Sequence, residues 1–269
     1  MGLIGKISGI IILVIFLGAL LSPFIVPYDP DAIDLDSLRE PPSFKHFLGT
    51  DNKGRDILSR ILYGGRTSIS VSVFAAFLSM GIGLIIGLVS GYFRGGLDTM
   101  LMALTDLVLS FPVLLLAIGV SVLFPPGMHT VMLAMASVGW ASFARLIRGK
   151  VLSIRESSFI EAAKAVGCSN ARILFLHALP QCIPLAFVMA GMRVGGYILT
   201  EAALSFLGLG AQPPSATWGS MISSGRAFIH SAPWIVISPG IMIVITALCF
   251  NILGDELRGL YDITREERI

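Results

Sequence analysis

Asp106, Arg193 and Glu201 are ionisable and fall inside long apolar runs. A charge in hydrocarbon is costly, so such groups pair with one another or face a wet passage. Arg193 and Glu201 are eight residues apart. On a helix that spacing leaves them about 80° apart around the axis and about 12 Å apart along it, on one broad side but too distant to pair. Asp98 and Asp106 repeat the spacing. An Arg193–Asp106 bridge between two helices would satisfy both charges. The other reading is a polar lining of a translocation path. Little else could do chemistry. The histidines (46, 129, 177 and 230) are far apart, and Cys168, Cys182 and Cys249 have no metal-ligand or redox spacing. No nucleophile–base arrangement marks an enzyme, and no GxxxxGK[ST] loop binds a nucleotide.

The most structured polar stretch is 161–180, EAAKAVGCSNARILFLHALP. Ser158 and Glu161 have capping-box spacing, which predicts a helix over 161–166. Gly167 can take the left-handed conformation that ends it. Ser169 and Asn170 can cap a second helix over 171–179, with Pro180 as its stop. The prediction is a folded bracket between two apolar spans, a grip for something outside the bilayer.

The elements around this bracket are membrane spans. The 269 residues are 55% hydrophobic and only 13% charged, with a mean hydropathy of +0.84. A soluble domain carries about 25% charged residues. The net charge of +2, with no basic run, gives no reason to expect a nucleic-acid partner. Six runs are long enough to cross hydrocarbon: 7–26, 68–91, 100–123, 130–147, 184–207 and 234–254. The first is too long for a signal-peptide core and lacks a clean cleavage site, so it reads as a retained span. The fourth is the weakest, since it turns polar early. Residues 145–183 hold six bases (Arg145, Arg148, Lys150, Arg155, Lys164 and Arg172) against two acids, which puts this loop in the cytoplasm. Both termini then lie inside and 27–67 outside. The predicted division is 1–65, a span and outer loop, and 66–269, a five-helix core that includes the bracket at 156–180. Gly83, Gly87 and Gly91 form a small-residue stripe that lets a helix of this chain or of a partner approach. Pro112 and Pro239 should kink or unwind their helices.

The stretch Glu161, Ala162, Ala163, Gly167, then Leu179 and Pro180 resembles the EAA loop of permease subunits of ATP-binding-cassette importers. His177 stands where the general pattern has isoleucine, as is common in the peptide and nickel subfamily. The run GTDxxGRDxxSR (49–60) resembles the segment after the first span in the second permease of that subfamily, and 201–214 and 250–258 look like it too. The 49–60 run either faces an external binding protein or packs against a partner permease.

The resemblance implies an all-α integral membrane protein of the type I importer permease fold, with six transmembrane helices and a cytoplasmic coupling-helix loop. It implies a bacterial or archaeal cytoplasmic membrane. The implied partners are a second permease, two ATPase subunits that bind ATP and Mg, and an extracytoplasmic solute-binding protein. This chain itself would hold no cofactor or metal. Glu161, Ala162, Ala163, Gly167 and Pro180 would contact the ATPase, and the expected cargo is di- or oligopeptides, with nickel as the alternative. An ion-gradient transporter would need a midplane ion site, for which only Arg193 and Glu201 offer themselves, and no inverted repeat is seen.

Overall fold

The computed structural model describes residues 2–266, with side chains described through Gly259. In chain order the helices are α1 (Leu3–Leu20), α2 (Ser22–Ile25), α3 (Ile57–Phe93), α4 (Gly95–Ser110), α5 (Val113–Val122), α6 (Met128–Arg155), α7 (Ser158–Ala165), α8 (Asn170–Arg172), α9 (Leu179–Phe206), α10 (Trp218–Gly225) and α11 (Trp234–Glu266). Five stretches are long and apolar enough to cross a membrane, and six if α4 and α5 count as one broken span. The bundle has a loop end, built by 27–56 and α10, and a bracket end, built by α7 and α8. Gly2 donates its amide to Glu256 Oε2 (2.8 Å), which brings the start of α1 against α11.

Each of the six expected apolar runs falls in helix, five of them in single long helices and the third in the bent pair α4–α5, but their limits differ. Hydropathy marks only the hydrocarbon section, whereas capped and ion-paired ends extend a helix beyond it. The 37 residues of α3 make a rod of about 55 Å, well over the roughly 30 Å core. The weak fourth span, expected over 130–147, runs through Arg155 because Arg145 and Arg148 find carboxylates instead of ending the helix. The third span is broken at Phe111–Pro112 by 94°. The ring of Pro112 disfavours helical geometry in the residue before it, and Phe111 is extended (φ −94°, ψ 148°).

The glycine stripe on α3 meets α6 of this same chain. A Cβ on Gly87 would lie 2.7 Å from the Ala144 carbonyl oxygen, and one on Gly91 would lie 2.8 Å from Val151 Cβ. Among the described residues, the two largest of four buried clusters fill most of the bundle. One joins α3, α6 and α9 with Ala19 of α1, Ala117 of α5, Trp218 of α10 and Ile243 of α11. The other lies toward the bracket and takes in Tyr92, Phe143, Ile147, Val151, Ile154, Ile160, Ile173 and Cys182.

The 49–60 run folds as a polar knot at the start of α3. Asp56 caps the helix, accepting from the Ser59 amide (2.8 Å), and its other oxygen contacts His46 Nδ1 (2.9 Å). Asp51 accepts from Arg55 Nε (2.7 Å), and Arg60 donates to the Pro30 carbonyl (2.7 Å) and to Asp31 (3.1 Å). Gly54 has φ +76°, and a side chain there would strike the Asp34 backbone. Nearby, the Ser37 hydroxyl and the Asp36 amide hold the Asp34 carboxyl below the usual carboxylate range. Thr50, Asp51, Arg55, Asp56, Ser59 and Arg60 are all buried, and Lys53 is the exposed side chain of the run.

Candidate functional site

The bracket leaves α6 at Arg155 and turns at Glu156, whose carboxylate accepts from Arg94 Nη2 (2.7 Å). The capping box expected on Ser158 does not form. Ser157 is the cap residue, extended in backbone, and its hydroxyl donates back to the Ile154 carbonyl. The end of α6 thus decides which of two adjacent serines starts α7. Glu161 still sits in the first turn, where a carboxylate favours the helix dipole. Gly167 ends the helix as expected, with φ +84°. Its amide donates to Lys164 (2.9 Å) and that of Cys168 to Ala163 (3.0 Å), the paired bonds of a Schellman ending.

Ser169 caps the next segment, accepting from the Arg172 amide (3.3 Å), and Tyr92 donates to Asn170 Oδ1 (2.8 Å). Pro180 does not stop the chain. Ile173–Ala178 is a π turn, and the Leu179 amide reaches back five residues to Leu174. This wider turn absorbs the missing Pro180 donor, and the helix continues to Phe206. Glu161, Ala162 and Gly167 share an exposed surface with Val166, which is 85% exposed, while Ala163 turns inward. Pro180 belongs to α9, separate from that surface. Ile160, Ile173 and Leu174 anchor the bracket in the cluster that holds Tyr92, Val151 and Ile154.

The span charges pair differently from expectation. Asp106 is met by Arg145 of α6 and not by Arg193, because α4 packs on α3 and α6 rather than on α9. Arg148 makes two bonds to Asp98, Nε to Oδ1 and Nη2 to Oδ2, each 2.7 Å, and Ser90 also donates to Asp98. Glu201 is 2% exposed at the junction of α9, α3 and α10. Ser205 donates to its Oε1 (2.7 Å). Ser68 and Thr217 face the carboxyl, but neither completes a hydrogen bond to Oε2. Around it, the Trp218 amide donates to Ser68 Oγ (3.2 Å) and Trp218 Nε1 to the Ile61 carbonyl (3.0 Å). Glu201 is therefore buried between helices of this chain, with one carboxyl oxygen bonded to Ser205 and the other without a hydrogen-bond partner among the described residues.

Arg193 is exposed on α9 and lines a cavity of about 480 Å³ with Leu109, Ser142, Arg145, Leu146 and Met189. A second cavity, about 620 Å³, shares Arg145, Leu146 and Met189 and extends along Gly149 and Ser153 of α6, Leu185 and Val188 of α9, and Arg258. Together they form a cleft between α6 and α9. Arg145 as a cleft residue and Ser68 as a neighbour of Glu201 emerge only from the fold. Arg145 did carry a signal, an arginine within the 130–147 span, whereas a serine in a membrane helix carries none.

An all-helical bundle with a bracket anchored on two spans is the architecture of a transport permease. A family model for the inner membrane component of binding-protein-dependent transport systems matches residues 83–262. One for the N-terminal TM domain of oligopeptide transport permease C matches residues 4–42. The chain belongs to this family of ABC-importer permeases, multi-pass proteins of the inner membrane. It is similar to the glutathione transport system permease protein GsiD of Pectobacterium atrosepticum, 41% identical over 256 residues, which cover 95% of this chain and 85% of the relative. It is also similar to the dipeptide transport system permease protein DppC of Alkalihalophilus pseudofirmus, 42% identical over 257 residues, which cover 95% of this chain and 84% of the relative. Among solved structures, an inward-facing MetNI methionine ABC transporter matches with a TM-score of 0.60 at 18% identity, covering 76% of this chain and 97% of that one. That likeness supports the fold alone.

Proposed function

We propose that this chain is one of two permease subunits of an ATP-driven importer for short peptides, glutathione among them. A homologous partner completes the path, an extracytoplasmic binding protein delivers the solute, and two ATPase subunits, which bind ATP and Mg, sit beneath. The bracket end faces the cytoplasm, in keeping with the bases of 145–183. The observation that carries the reading is the anchored bracket. Its outer face, with Glu161, Ala162 and Gly167, is open for docking, while Ile160, Ile173 and Leu174 tie it to α3, α6 and α9. Motion imposed from below is thereby passed to the spans. The peptide cargo is supported by relatives named for glutathione and dipeptide transport.

The test begins with the complex purified from native membranes and reconstituted in vesicles. ATP-dependent uptake of dipeptides and glutathione is expected, including with the proton gradient collapsed. Glu161→Lys is expected to abolish uptake while the complex still assembles. Uptake of nickel but no peptide would move the cargo to the metal. Normal peptide uptake by Glu161→Lys would remove the coupling role.

A further inference from the structure

Arg193 stands out among the bases of this chain. It lies fourteen residues beyond Leu179, so about 21 Å along α9, near the middle of a span that ends at Phe206. The bias that collects bases at the inner ends of spans does not explain one at this depth. Among the described residues no carboxylate lies within ion-pair range of it: Asp106 is held by Arg145, and Glu201 is turned into the α3–α10 junction. Arg193 instead lines the smaller cavity, with Arg145 of α6 across from it. An arginine in an apolar helix with no carboxylate partner needs water or an anion.

The walls around it are of another kind. Leu146, Leu185, Val188, Met189 and Met192 line the continuous cleft. Methionine and leucine walls adapt to many shapes. The two cavities, about 480 and 620 Å³, are in the range of small-molecule sites. Arg193 and Arg145, with Lys150 and Arg258 further along the larger cavity, set among soft apolar walls suit a solute that carries a carboxylate on a variable side chain. Guanidinium is the side chain best matched to a carboxylate, through two parallel hydrogen bonds.

We infer that Arg193, with Arg145 across the cleft, forms an anion subsite that receives the side-chain carboxylate of an acidic peptide as it passes between α6 and α9. This rests on the peptide-importer reading above. The subsite is a way-station, since Arg145 is already shared with Asp106 and binds a passing carboxylate only in part. The competing occupant is a carboxylate of the partner permease, which would make Arg193 an intersubunit pair.

The test uses the whole reconstituted complex, with the binding protein saturated in turn by alanyl-glutamate, dialanine and alanyl-lysine, so that its own preference does not enter. Arg193→Gln is expected to slow maximal uptake of alanyl-glutamate about tenfold more than that of alanyl-lysine, the scale of one charged hydrogen bond. Arg193→Lys should recover most of the alanyl-glutamate rate. Equal proportional loss for all three peptides would make Arg193 structural and overturn the inference, as would unchanged rates. Loss of the partner permease from the purified Arg193→Gln complex would replace the subsite with an intersubunit pair. If the unaltered complex carried no peptide, the importer reading itself would fail, an outcome separate from any behaviour of the variants.

Discussion

Gly167 offers a test in which sterics and backbone strain come apart. No atom lies within 4 Å of a Cβ built there, yet its φ is +84°. Any penalty on substitution is therefore the left-handed backbone itself, about 1–2 kcal/mol for an ordinary L-residue. Asparagine tolerates that conformation and should cost less. Valine, branched at Cβ, should cost more. The eight-residue α7 is too short to hold itself, so its ending and the buried Ile160 carry its stability. A loss of 1–2 kcal/mol raises the open population about 5–30-fold. Hydrogen exchange over 158–168 in the assembled complex reads this directly. Protection should fall in the order Gly, Asn, Ala, Val, with α11 unaffected, and ATP-driven uptake should follow the same order. Exchange in Gly167→Val equal to that of the unaltered protein would refute the conformational argument. Ordered exchange with unchanged uptake would refute the role of α7 in coupling.

Gly87→Leu should destabilise by about 1–3 kcal/mol through overpacking against Ala144 and Ile147, seen as a lower Tm in detergent. Gly81→Ala, with nothing within 4 Å, is the control and should leave Tm unchanged or raised. In a double-mutant cycle, Asp98→Ala and Arg148→Ala should couple by about 0.5–3 kcal/mol in unfolding, and additive effects would deny the bidentate pair. Glu201→Gln keeps an acceptor for Ser205 and should fold nearly as well as wild type. Glu201→Leu strands that hydroxyl and should cost about 1–3 kcal/mol, measured by urea unfolding in detergent.

Periodicity and local chemistry were legible wherever one residue decides its own surroundings. Pro112 disfavours a helical Phe111, and the break falls there, whereas α9 and α11 run on through Pro184 and Pro239. Gly167 ends α7 because its backbone freedom is intrinsic. Gly83, Gly87 and Gly91 announce a close neighbour, but only the fold says that it is α6. What failed depended on relations between elements. Ser157 rather than Ser158 starts α7 because the Ile154 carbonyl takes the serine hydroxyl. Pro180 reads as a stop, yet a π turn just before it keeps the helix whole. The expected partner of Asp106 is Arg193, whereas the packing of α4 on α6 gives it Arg145.

The bracket and the cleft share the same two helices, and this constrains any account of either. One wall of the cleft is Arg145, Gly149 and Ser153, on the α6 stretch that runs into α7. The other is Leu185, Val188, Met189 and Met192, on α9 just beyond the π turn. Ile160 and Ile173 bury the bracket in a cluster with Val151 and Cys182, one from each wall helix. A shift of the bracket therefore cannot leave the cleft width unchanged unless α6 and α9 move as one body. A tilt of about 5° at the start of α9 would carry Arg193, about 21 Å along, sideways by about 2 Å. That is enough to make or break a guanidinium–carboxylate contact, whose useful range is a few tenths of an ångström around 2.8 Å. On the importer reading, the geometry that docks the ATPase is the same geometry that sets the hold on a passing anion.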